Sequence, residues 1–60
     1  MHHNMQKRVL VVDDDDMNLM RTKRILGIEY DVFFASSGIE ALDTLKREPM
    51  DLVLLDIMLP

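Results

Sequence analysis

Two groups of carboxylates stand out in this chain, Asp13-Asp14-Asp15-Asp16 and the solitary Asp56. Each follows directly on an apolar run, Val9-Leu10-Val11-Val12 in the first case and Leu52-Val53-Leu54-Leu55 in the second. If those runs are neighbouring strands, their tips lie about 4.8 Å apart laterally and acids distant in sequence share one pocket. Ionised together the acids repel, so either a proton or a cation must join them. An oxygen-only donor set without nearby His or Cys favours Mg²⁺, with Mn²⁺ as the alternative. A carboxylate with an ordinary pKa is already ionised at neutral pH and needs no base to act as a nucleophile. It does need charge neutralisation when it meets a phosphoryl group, and the cation would supply that. The chemistry suggested is formation of an acyl phosphate on an aspartate.

The elements that would position these acids alternate along the chain. The run from Val9 to Val12 suits a parallel strand buried on both faces. Asp15 or Asp16 would N-cap a helix from about Met17 to Leu26. In it Leu19, Thr22 and Leu26 share one face, Met20 and Ile25 flank it, and Arg21, Lys23 and Arg24 point outward. Gly27 suits the C-cap. Tyr30 to Ala35 is a second strand, aromatic and β-branched. Ser37 and Glu40 have capping-box spacing and open a helix from Gly38 to Arg47, with Ile39, Leu42 and Leu45 expected inward. Pro49 ends it, and Met50 to Leu55 forms the third strand. The β-α-β-α-β order predicts a parallel sheet in an α/β fold, with ligands at the carboxyl ends of its strands.

Composition narrows the function classes. With 48% apolar and 30% charged residues the chain is globular rather than disordered. Its net charge is −4 and its seven Lys and Arg are scattered, which weakens any nucleic-acid reading, because phosphate binding needs a concentrated basic face. No apolar run reaches the roughly 20 residues of a membrane span. There is no Cys, so no disulfide can staple so short a chain. Residues 1–6, with His2 and His3, are expected to be a leader or tag remnant, and residues 7–60 the domain.

Each of these features also has a simpler reading. The four acids could be only a solvated helix start. Asp14, Asp16 and Asn18 begin a calcium-loop pattern, but Leu19 and Ile25 stand where Gly and Glu are needed. Asp51 is expected to have only a solvent-facing role. Ser36 and Ser37 have no nearby His, and two glycines cannot make a phosphate loop. A haloacid-dehalogenase-type site would want a second Asp at the position of Met58.

The segments VLVVDDDD with Asn18 shortly after, SSGIEAL and PMDLVLLDIMLP together resemble the receiver domain of two-component response regulators. The resemblance runs from about residue 7 to Pro60. It implies the first half of a flavodoxin-like doubly wound sheet with strand order 2-1-3, and a cytoplasmic signalling module rather than an enzyme. It also implies that Asp56 accepts a phosphoryl group from a sensor histidine kinase, with at most self-catalysed aspartyl phosphate formation. Asp14 and Asp56 would ligate Mg²⁺ directly, Asp13 would act largely through metal-bound water, and the backbone carbonyl of Met58 would complete the protein's share. The family's fourth and fifth strands, with their phosphate-contacting Ser or Thr, aromatic switch and Lys, have no counterpart in these sixty residues. Metal binding is expected to survive without them, efficient phosphorylation and switching are not.

The alternative function is an inactive half-domain, natural or engineered, that folds as a self-associated scaffold. In order 2-1-3 the strand from Met50 to Leu55 is an uncovered apolar edge. It is expected to pair antiparallel with its copy, giving a twofold homodimer with a sheet ordered 2-1-3-3′-1′-2′.

Overall fold

The computed structural model describes residues 6–56, and of Asp56 it describes the backbone. Five elements follow in the order expected: β1 (Arg8–Asp13), α1 (Asp16–Leu26), β2 (Asp31–Ala35), α2 (Gly38–Arg47) and β3 (Leu52–Asp56). The three strands form one parallel sheet in the order β2-β1-β3. β1 begins one residue before the expected start and keeps Asp13, while β3 begins two residues after it, at Leu52. The parallel α/β sheet expected from the alternating elements, in the order that the resemblance implies, is therefore the fold observed.

β1 is the centre of the molecule because it is flanked by strands and covered on both faces. Successive side chains of a strand alternate between faces. Leu10 and Val12 accordingly join Ala35 and Ala41 on one side, with Phe33, Met50 and Val53 packed against them. Val9 and Val11 join Leu19 on the other side, beside Val32 and Phe34. α1 covers the second face and α2 the first, which is why the whole β1 run had to be apolar.

Capping fixes where both helices start. Asp15 is the N-cap of α1, its side chain accepting the Met17 N–H at 3.0 Å. At α2 Ser37 Oγ accepts the Glu40 N–H at 3.2 Å. The Glu40 carboxylate turns back to the Ser36 N–H at 3.0 Å, one residue earlier than a strict capping box would have it. Gly27 does end α1, but in right-handed geometry with φ −64°. Glycine is needed there because its N–H bonds Lys23 O at 2.7 Å, and a Cβ would sit 2.5 Å from that same carbonyl.

The face assigned to α1 is the one found, with Leu19 buried and Thr22 and Leu26 half-buried, while Met20 and Ile25 are exposed. For α2 the expectation fails. Ile39, Leu42 and Leu45 are 83%, 61% and 41% exposed, and the buried residues are Ala41 and Thr44. Small side chains let the helix backbone approach the sheet, and the Thr44 hydroxyl stays satisfied by donating to Glu40 O at 3.0 Å. Hydrophobicity alone pointed to the wrong stripe.

β3 is the strand least enclosed. It packs against β1, and neither helix reaches it. Leu52, Leu54 and Leu55 are exposed, and among the described residues no strand lies on its outer side.

Candidate phosphoacceptor and metal site

The acids of interest collect at the carboxyl end of the sheet because β1 and β3 end there together. In the β1–β3 ladder Asp13 is the register partner of Asp56. Direct partners on adjacent strands have backbones about 4.8 Å apart, so residues 43 positions apart in sequence stand side by side. The convergence expected from the sequence is present at the level of the backbone.

Asp13 is buried, 4% exposed, at the tip of β1. Its Oδ1 accepts the Asp15 N–H at 2.9 Å, which bends the chain out of the strand and into the start of α1. The sequence alone did not suggest this bond, although Asp two residues before an N-cap is a recurrent turn-forming arrangement. Asp14 follows in the bend and is exposed. Asp15 and Asp16 belong to the helix start, the one as cap and the other in the first turn, where the helix dipole favours negative charge. The four consecutive acids thus divide in two: Asp15 and Asp16 serve the helix, and Asp13 and Asp14 lie between the strand tip and the helix start.

Among the described residues no three His, Cys, Asp or Glu side chains converge to hold a metal ion. Of the expected ligands, Asp13 and Asp14 are described with their side chains and Asp56 through its backbone. Met58 lies outside the described residues. The donors in place are hard carboxylate oxygens, one of them buried and held by a backbone N–H, and that set fits Mg²⁺ rather than a softer ion.

At the opposite end of the sheet a second polar group ties the strand starts together. Arg8 pairs with Glu48 at 3.1 Å and lies 4.0 Å from Asp31, and its guanidinium carbon is 5.8 Å from the Phe33 ring centroid. The Arg8 N–H donates to Asp51 Oδ2 at 2.7 Å. Asp51 is exposed, as expected, but it is not merely solvated.

No helix among the described residues is long and apolar enough to cross a membrane. The description "Response regulator receiver domain" matches residues 9–60. The chain is 45% identical over 58 residues to a probable transcriptional regulator, ycf27, of Porphyridium aerugineum, covering 93% of this chain and 24% of that protein. It is 43% identical over 63 residues to the alkaline phosphatase synthesis transcriptional regulatory protein PhoP of Bacillus subtilis, with the same two coverages. It is 35% identical over 57 residues to the polar-differentiation response regulator DivK of Brucella ovis, covering 93% of this chain and 46% of DivK. The chain therefore spans about a quarter of the length of the first two relatives and under half of the third. No solved structure gave a significant match. The matched segment runs through both acidic strand ends and the sheet that brings them level, and the chain belongs to the response regulator receiver domain family.

Proposed function

We propose that this chain is a phosphoacceptor module of a two-component phosphorelay, with Asp56 as the residue that takes the phosphoryl group. The observation that carries the reading is the Asp13–Asp56 register at the carboxyl end of a parallel sheet, within a receiver-family segment. The donor would be a phosphohistidine of a sensor kinase. A carboxylate oxygen of Asp56 attacks phosphorus, the P–N bond breaks, and the imidazole nitrogen leaves with the bonding pair and takes up a proton. The product is an aspartyl phosphate and a free histidine.

Asp13, Asp14, Asp56 and the Met58 carbonyl would hold Mg²⁺, which when bound offsets the negative charge of the phosphoryl oxygens. The chain's own part is to keep Asp13 buried and oriented by the Asp15 N–H, beside the acceptor. The test is incubation with Mg²⁺ and acetyl phosphate followed by intact mass measurement. A phosphoryl adduct that is absent from Asp56→Asn supports the reading, and a folded sample without adduct overturns it.

Among the described residues no strand pairs with the outer edge of β3, and this favours a second reading, a homodimeric scaffold without signalling activity. Two copies would pair antiparallel through the segment Met50 to Leu55. A chain that stays monomeric by light scattering across a wide concentration range refutes that arrangement.

A further inference from the structure

We propose that Asp51, acting through Arg8, is a positioning residue that locks the register of β3 and so decides which β3 residue stands beside Asp13. For its functional consequence, though not for the lock itself, the inference rests on the phosphoacceptor reading of Asp56.

The need for a lock follows from what β3 lacks. Neither helix backbone approaches it, so apart from Val53, which rests against the core cluster, its position depends on the ladder to β1. Register is normally specified by an apolar face opposed to a polar one, because a slip of one residue exchanges the two. Here the run is Leu52-Val53-Leu54-Leu55, apolar on both faces, and a slip replaces one apolar residue with another. Hydrophobic burial then separates the correct register from its neighbours only weakly.

The polar ends supply the difference. Arg8 and Asp51 bond reciprocally: the Asp51 N–H donates to Arg8 O at 2.9 Å, and the Arg8 N–H donates to Asp51 Oδ2 at 2.7 Å. The second bond uses a side chain where a ladder would use a carbonyl, so Asp51 alone in this segment can make it. A slip in either direction would put Met50 or Leu52 level with Arg8 and leave its N–H without the carboxylate. Arg8 is itself held, since its guanidinium pairs with Glu48 at 3.1 Å just after α2. Asp13 and Asp56 lie the same number of residues beyond Arg8 and Asp51, so the bond at one end of the ladder sets the pair at the other. One residue of slip would move Asp56 by about 3.3 Å along the strand.

The experiment compares the parent chain with Asp51→Ala and Asp51→Asn by NMR and by acetyl phosphate labelling in Mg²⁺. Cross-strand NOEs linking Leu10 with Val53 and Val12 with Leu55 report the native register. Asp51→Ala is expected to weaken these and to show NOEs of a neighbouring register, with adduct formation falling about hundredfold, as a displacement of ångström size does to a reacting pair. Asp51→Asn keeps an acceptor oxygen and is expected to restore both readouts. An Asp51→Ala chain with unchanged NOEs overturns the assignment. So does one that is unfolded as a whole, because the contact would then hold the fold and not the register. If the parent takes no phosphoryl group while the NOEs of Asp51→Ala still shift, the lock stands and the phosphoacceptor reading falls.

Discussion

Truncating Leu10 tests whether the sheet, rather than the helices, carries the stability of this chain. Leu10 lies at the middle of the central strand with no exposed surface, packed among Val12, Ala35 and Ala41. Leu10→Ala removes three carbon groups, about 2.4 kcal/mol at roughly 0.8 kcal/mol each. The cavity left behind adds to this, for a total of about 3 kcal/mol. A core of this size supplies only about 3–5 kcal/mol altogether. The variant should therefore sit near the balance point between folded and unfolded at room temperature. Leu42→Ala is the matched control, because the same chemical change occurs on the exposed stripe of α2, where it should cost less than about 0.5 kcal/mol. Urea titrations followed by far-ultraviolet circular dichroism at low protein concentration measure both. A Leu42→Ala loss as large as that of Leu10→Ala would refute the reasoning, since α2 would then have to seat Ile39, Leu42 and Leu45 against something in solution.

Three further outcomes are expected. Asp15→Ala should destabilise by about 1 kcal/mol through loss of the α1 cap, while Asp15→Asn changes little, both read from denaturant midpoints. The two glycines should respond with opposite signs. Gly27→Ala should cost about 1–3 kcal/mol because the new methyl meets the Lys23 carbonyl, whereas Gly38→Ala, with open space at the start of α2, should gain about 0.4–1 kcal/mol in thermal melts. Asp13→Asn should weaken Mg²⁺ binding about 10-fold or more in a calorimetric titration, by removing the buried charge from the acidic end.

Much of the fold was legible because strong local signals agreed with one another. The unbroken apolar run of β1 announced a strand covered on both faces, and its abrupt end in Asp gave both the tip and the following helix cap. Ser37 with Glu40 marked the start of α2 to the residue. The failures have physical causes that lie outside local pattern. On α2 periodicity points to the apolar stripe as the buried one, but the sheet accepts Ala41 and Thr44 because close backbone approach matters more there than side-chain size. The role of Asp51 was hidden because its partner is Arg8, 43 residues away, and an exposed acid before a strand carries no sign of such a bond. The meeting of the two carboxylate-ended strands was legible only through the resemblance to receiver domains, which implies the order 2-1-3, because alternation of strands and helices does not by itself say which strands are neighbours. The bond from the Asp15 N–H to Asp13 was not, because four identical residues in a row give no clue to which of them turns inward.

Among the described residues β3 has no strand along its rim and no helix over its faces, only Val53 resting against the core, and this sets a condition on anything that pairs with its edge. A second copy laid alongside would satisfy the rim, but it would bring another uncovered strand with it. Across the join, two adjacent bare ribbons would leave a slot on each side about as wide as a helix, roughly 10 Å. Leucines from both copies would floor that trough. Full burial of β3 would therefore take three layers at once, a ribbon for the rim and a roof above and below it.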